Sequence, residues 1–269
     1  MIAEAEVREQ LEEAFTNIPQ LSTHGSDDFE ITRLPGYTNC NFRLRNHAQD
    51  WVLRLPRAQT NQLIDRAAET CNQTLAHQLH IAPQVAWRND AGMTLTRTLE
   101  NSRNITADDL ISDDSLARVV EPFQQLHRSG LRFQGGLDLR CTLEQHFDLL
   151  DRQQQQAFVK RMSAARRILS LLEFKNLEAV PCHRDPVPGN LLMDGKRLWL
   201  IDWEYSAMAS PYWDLAILCN EANLDLPQSR RLLQVYCAGA AAMQESILFD
   251  YRGLLKLLND CWMAALART

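Results

Sequence analysis

The chain has 269 residues, 45% of them hydrophobic and 23% charged, enough for one large domain or two small lobes with a full core and no need of disulfide or metal staples. Its 28 basic residues against 34 acidic ones leave a net charge of −6, which argues against a nucleic-acid partner, since such binders carry a basic footprint. Cys40, Cys71, Cys141, Cys182, Cys219, Cys237 and Cys261 are scattered, odd in number and without a C-x-x-C pair, so reduced thiols are expected rather than a disulfide framework or a zinc knuckle.

Residues 3–16 have the spacing of an acidic amphipathic helix, with Val7, Leu11 and Phe15 on one stripe. This start lacks the basic and apolar regions of a signal peptide. No apolar run approaches the ~20 residues of a membrane span, so the sequence predicts a cytoplasmic protein. Phe29–Thr32, Phe42–Arg45 and Trp51–Leu55 then read as strands of an antiparallel meander. The first two are joined by the turn-forming stretch Leu34-Pro35-Gly36-Tyr37-Thr38-Asn39.

Residues 61–80 return to helical spacing through Leu63, Ala67, Cys71, Leu75 and Leu79, and Pro83 stops that helix. Residues 84–98 suggest two more strands around Asn89-Asp90-Ala91-Gly92. After them the pattern is mostly helical. Ser115 can cap a helix reaching His127, with Gly130 beyond its end, and further helices are expected over 143–174 and 228–267. One strand pair is expected to interrupt this half, Leu191–Met193 and Leu198–Ile201 around the tight Asp194-Gly195 turn. The expected fold class is therefore α+β, with a strand-rich lobe over 1–98 and a larger, mainly helical lobe over 99–269.

The segment 181–204 carries the chemistry. Asp185 and Asn190 lie on the loop entering the hairpin, and Asp202 lies at the hairpin's far end. A hairpin brings its ends together, so Asp202 is expected near Asn190. A carboxylate that can orient a hydroxyl, beside oxygen ligands for a hard cation, suits phosphoryl transfer. Gly189 and Gly195-Lys196 do not have phosphate-loop spacing, and the hairpin accounts for them. His77 and His80 are three apart on a helix but have no third metal ligand nearby. His127 and Cys182 read as structural.

His183-Arg184-Asp185 with Asn190 matches the H-x-D-x-x-x-x-N pattern of the choline/ethanolamine kinase and aminoglycoside phosphotransferase superfamily, which shares a protein-kinase-like fold. Ile201-Asp202-Trp203-Glu204-Tyr205-Ser206 resembles the corresponding run of bacterial choline and thiamine kinases. Pro211-Tyr212-Trp213-Asp214-Leu215-Ala216 resembles the motif that follows it, with Ser210 in place of its first Asp. Two further departures are Arg184, where small-molecule kinases often have Asn or Gly, and Tyr37, where the phosphate loop often has a second glycine.

The resemblance implies a bilobal kinase that uses ATP and Mg²⁺, with Asp185 as the catalytic carboxylate and Asn190 and Asp202 as metal ligands. It implies a nucleotide site of Gly36, Thr38, Asn39, Arg54 and its helix partner Glu69, with the Thr96–Leu99 backbone on the adenine. His183 and Asp214 would support the catalytic loop. The implied substrate is a small cationic alcohol, choline first, because aromatic faces and carboxylates hold quaternary ammonium ions. Trp203, Glu204 and Trp262 are the candidates to meet it. Thiamine and aminoglycosides are the alternative acceptors, and a nucleotide-binding pseudokinase is the alternative that is not an enzyme.

Overall fold

The computed structural model describes residues 4–36, 38–57, 61, 64–136, 138–238 and 243–266. Tyr37 and Leu63 lie outside these. The chain divides into two compact units, Met1–Ser102 and Arg103–Thr269.

In the first unit, α1 (Glu4–Asn17) precedes β1 (Glu30–Leu34), β2 (Asn39–Arg45) and β3 (Asp50–Pro56). Helix α2 (Arg66–Gln78) and strands β4 (Val85–Arg88) and β5 (Thr94–Arg97) complete it. The sheet is antiparallel, in the order β1-β2-β3-β5-β4. Its period-2 alternation sorts the side chains onto two faces. Cys40, Phe42 and Leu44 face the same side as their register partners Leu55, Leu53 and Trp51. With Met93 and Leu95 they form a core that Val7, Leu11, Ala14 and Phe15 of α1, and Ile18 just after it, cover. The side chain of Arg54 therefore points to the other face, where α2 supplies its partner. The β4–β5 turn needs Gly92, which sits at φ +94°, a region other residues enter at a cost.

In the second unit, β6 (Arg103–Asn104) leads into α3 (Ala107–Ile111), α4 (Asp113–His127), α5 (Leu139–Asp148) and α6 (Arg152–Lys175). Strands β7 (Val180–Cys182), β8 (Leu191–Met193), β9 (Leu198–Leu200) and β10 (Ala207–Ala209) follow, then α7 (Tyr212–Glu221), α8 (Leu226–Cys237) and α9 (Glu245–Leu266). Leu116, Val119, Val120, Phe123 and Leu126 form the buried stripe of α4. Among the described residues no helix is long and apolar enough to cross a membrane.

Two expectations change here. The helical half holds more than one strand pair: β6 extends the β8–β9 hairpin, and β7 pairs with β10. These strands have two or three residues each, too few for a period to register. Helix α4 begins at Asp113 with Ser112 as its N-cap, not at Ser115. Asp113 and Asp114 fall in the first turn, where carboxylates complement the helix dipole.

Candidate active site

Strand β7 delivers the chain to His183, and the loop that follows is clamped from behind by Asp214, in the first turn of α7. One carboxylate oxygen of Asp214 accepts the backbone N–H of Arg184 at 2.7 Å. The other accepts the His183 N–H at 2.9 Å and lies 3.0 Å from His127 Nε2. Asp214 is fully buried. Burial opposes its charge, but the hydrogen bond from His127, the His127 and His183 rings and the His183 N–H outweigh it and hold the carboxyl below its ordinary range. His127 in turn meets the Tyr236 hydroxyl through Nδ1 at 2.8 Å.

His183 is also fully buried, and burial favours its neutral form. Its Nε2 faces the Ile201 carbonyl at 3.0 Å while Nδ1 accepts the Asp185 N–H at 3.3 Å. This sets the Nε2–H tautomer. The imidazole thus ties the loop to the end of the hairpin, as Asp214 ties it to α7.

The backbone between these clamps is strained. Arg184 at φ +69° and Asp202 at φ +64° are non-glycine residues in the left-handed region, a conformation that persists only where the surroundings enforce it. At Arg184 the enforcers are visible. Its N–H is held by Asp214, its carbonyl accepts the Trp213 Nε1–H at 3.0 Å, and its guanidinium stacks 5.0 Å from the centre of the Trp213 ring. Burial pulls the guanidinium pKa down to about 10.

Asp185 emerges from this frame with its carboxylate shaped by burial and by its neighbours. Burial raises its pKa most, the Glu204 carboxylate adds to that, and the amide of Asn190 opposes it; the result is about 6. Asn190 Nδ2 donates to Asp185 Oδ2 at 2.8 Å and to the Asp185 carbonyl at 3.0 Å. With its nitrogen engaged, Asn190 keeps its amide oxygen as a ligand atom. The Ile201 N–H donates to the Asn190 carbonyl at 3.0 Å, so the hairpin brings Asp202 to within one residue of that rung. An amide oxygen and a carboxylate make an all-oxygen donor set, the chemistry that suits a hard divalent ion. The β8–β9 turn is fixed by Asp194, whose Oδ1 accepts the N–H groups of Lys196 and Arg197 at 2.9 and 3.0 Å. From β6, Asn104 Nδ2 braces the loop through the carbonyls of Pro188 and Gly189 at 3.0 and 2.9 Å.

Sequence reasoning missed two of these supports. Asn104 carries no local signal, and Tyr236 lies 109 residues from His127. Trp203 requires a correction. It is 0% exposed, with its ring 4.6 Å from that of His183 and its Nε1–H on the Leu200 carbonyl. The left-handed turn at Asp202 swings the next side chain inward, so Trp203 is core and offers no face to a substrate. Trp262 is half-buried, 5.5 Å from the His146 ring, and Glu204 is buried, close enough to Asp185 to raise its pKa. His127, Cys182 and Asp214 lie within metal-ligand distance of one another. However, the Cys182 thiol donates to the Ala209 carbonyl and burial pushes its pKa up, so the cluster reads as hydrogen-bonded core.

The first unit carries a second charged assembly. Glu69 on α2 receives Arg54 Nη1 on Oε1 at 2.5 Å and Arg66 Nη1 on Oε2 at 2.6 Å. Burial works against the Glu69 charge, and the two arginines, Arg54 first, overcome it. The Gly92 carbonyl holds the other side of Arg54. The β1–β2 loop needs Gly36, because a Cβ there would lie 2.7 Å from the Asn39 carbonyl oxygen and 2.8 Å from Asn41 Nδ2. Thr38 is half-buried on this loop.

Two nucleotide-site expectations change. Asn39 is 1% exposed and donates to Thr38 Oγ1 at 3.2 Å, so it supports the loop from beneath. Thr96 pairs with Val52 on one side and Val85 on the other. Its backbone belongs to the interior of the sheet and cannot turn toward an adenine. Leu99 follows the strand, with its carbonyl accepting the Ser102 hydroxyl at 2.8 Å.

The model of the phosphotransferase enzyme family matches residues 30–254. The chain is 33% identical over 213 residues to Protein LicA of Haemophilus influenzae, covering 77% of this chain but only 62% of that protein's length. The crystal structure of choline kinase LicA from Streptococcus pneumoniae superposes with a TM-score of 0.85 at 20% identity, over 98% of this chain and 92% of that one. A choline/ethanolamine kinase family protein from Mesorhizobium loti superposes with a TM-score of 0.81 at 27% identity, over 97% and 87% of the two chains. The α+β, protein-kinase-like fold expected from the sequence is the fold these structures share.

Proposed function

The chain belongs to the phosphotransferase enzyme family, and from that premise we propose that it transfers the γ-phosphoryl group of ATP to the hydroxyl of a small cationic alcohol, choline first. The observation that carries this reading is Asp185: a half-buried carboxylate whose pKa desolvation raises to about 6, its Oδ2 fixed by Asn190. A base poised close to the operating pH can take a proton from an alcohol as the transfer proceeds. Glu204 stands beside it, and the pair would attract a cationic substrate and hold its hydroxyl against Asp185. Trp262 is the remaining aromatic candidate for the cation. The names of the related choline kinases support choline as the first acceptor to test.

Asn190 and Asp202 would hold Mg²⁺, which would neutralise charge on the transferring phosphates. Their oxygen donor set fits that ion. Arg54, braced by Glu69, would meet the ATP phosphates, with Gly36 and Thr38 on the loop above them and Leu99 beside the adenine. In this reading residues 1–98 form the nucleotide-binding lobe and 99–269 the catalytic and substrate-binding lobe. Free cysteines among the described residues support a reducing, cytoplasmic setting.

A coupled ADP-release assay over choline, ethanolamine, thiamine and aminoglycosides tests the proposal. Choline should give the highest kcat/KM. Preference for thiamine or an aminoglycoside would reassign the acceptor. Mg-ATP binding without transfer to any alcohol would make the protein a pseudokinase.

A further inference from the structure

Helix α2 opens with Arg66, and Asp65 before it caps the helix by accepting the Ala68 N–H. A cation in the first turn opposes the helix dipole, so local propensity does not account for this residue. What its guanidinium reaches does. Residues three apart share a helix face, and Arg66 Nη1 meets Glu69 Oε2 at 2.6 Å. Its Nε donates to Asn61 Oδ1 at 2.7 Å, ahead of the helix, and its Nη2 reaches Asn39 Oδ1 at 3.5 Å, where the β1–β2 loop enters β2. The β4–β5 turn lies against the same group: a Cβ at Gly92 would collide with Arg66 Nε and lie 2.8 Å from its Cζ.

Three of these contacts lead on to residues assigned to the ATP phosphates. With Oε2 held by Arg66, Glu69 presents Oε1 to Arg54. The Gly92 carbonyl, from the turn packed on Arg66, accepts Arg54 Nε and Nη2 at 3.3 and 3.2 Å. The Asn39 amide that receives Arg66 donates in turn to Thr38 Oγ1 at 3.2 Å. One planar fork thus spans the helix, the turn and the loop, which a compact ammonium could not do. We propose that Arg66 is a positioning residue of the nucleotide site, fixing Arg54 and the Thr38 loop in one arrangement for the phosphates of ATP. That role rests on the nucleotide site proposed for Gly36, Thr38 and Arg54. Without Arg66, both oxygens of Glu69 can close on Arg54 and draw its guanidinium toward α2, and the loop loses a brace.

Calorimetric binding of Mg-ATP and of adenosine to the full chain tests it. No acceptor is present, so the result does not depend on which alcohol is phosphorylated. Arg66→Gln should weaken ATP about tenfold, the equivalent of one hydrogen bond to a charged group. Adenosine should bind as before, because the perturbation falls on the phosphates. Arg66→Lys keeps the charge but loses the fork, and should stay weakened by about threefold or more. Asn61→Ala removes the acceptor of Nε from a half-buried position and should weaken ATP about threefold, a readout that remains if Arg66→Gln does not fold. Arg54→Gln separates this role from the site it serves. Unchanged ATP affinity in Arg54→Gln would overturn the nucleotide site and the role of Arg66 with it. Where Arg54→Gln weakens ATP, three results would overturn the role of Arg66 alone: undiminished ATP affinity in Arg66→Gln, or in Asn61→Ala should the first variant not fold; full recovery in Arg66→Lys; or equal losses for ATP and adenosine.

Discussion

Asp214→Asn tests the clamp behind the loop that carries Asp185. The native carboxylate accepts two backbone N–H groups, from His183 and Arg184, and contacts His127 Nε2. An asparagine can keep the Arg184 bond on its oxygen, but it turns an NH₂ toward the His183 N–H and the His127 ring. Hydrogen bonds to charged groups contribute roughly 1.5–3 kcal/mol, and a buried donor left unsatisfied costs roughly 1–3 kcal/mol. Relief of the buried charge offsets part of this, so the net loss should be about 2–4 kcal/mol. In urea that is a midpoint lowered by about 1–2 M. Unfolding followed by tryptophan fluorescence reads it, because Trp203 and Trp213 both lie in the second unit.

The pH dependence gives a second readout. Asp214 has a folded pKa below its unfolded one. Its contribution is therefore complete above the unfolded pKa and is lost as the pH falls through the folded value. The variant should lack that acid-dependent component, and its kcat should fall with the released loop. An Asp214→Asn protein within about 0.5 kcal/mol of wild type, a margin typical of substitutions away from such networks, with kcat unchanged, would refute the clamp.

Three other outcomes are expected. The acid limb of kcat/KM should fall near pH 6 as Asp185 protonates, and Glu204→Gln should move that limb to lower pH; a pH–rate profile checks both. Asp185 has a raised folded pKa, so its ionised form destabilises the fold above that value, and the penalty disappears below the unfolded pKa. Asp185→Asn should accordingly be more stable than wild type at pH 8 by about 1–3 kcal/mol, and equal to it near pH 4, in parallel denaturant titrations. Gly36→Ala should raise KM for ATP with little change in kcat, because its Cβ would press on Asn39 and Asn41 and displace the loop.

The parts legible in the sequence were those specified by neighbours in the chain. The meander and the Asp194-Gly195 hairpin declare themselves through alternation and turn chemistry, and Asp185 and Asn190 fall five residues apart on one loop. Longer reaches left no local trace. Arg54 and Glu69 are 15 residues apart, and only the family resemblance joined them. His127 stands 87 residues from Asp214; its place at the end of α4 suggested structure but not which group it would hold. Arg66 stood out by no motif, and only the fold brings it onto Glu69. Trp203 was misread for a backbone reason: the left-handed residue before it breaks the alternation that would have turned it outward.

The central claim is that Asp185 serves phosphoryl transfer to a cationic alcohol. The most direct measurement follows wild type and Asp185→Asn with Mg-ATP and choline by ³¹P NMR, alongside ATP binding by calorimetry. Wild type should convert the γ-phosphate signal of ATP to that of a phosphomonoester, while the variant binds ATP with similar affinity and loses several orders of magnitude in rate. Equal turnover by the two proteins, or ATP binding by wild type with no phosphomonoester formed from any alcohol, would contradict it.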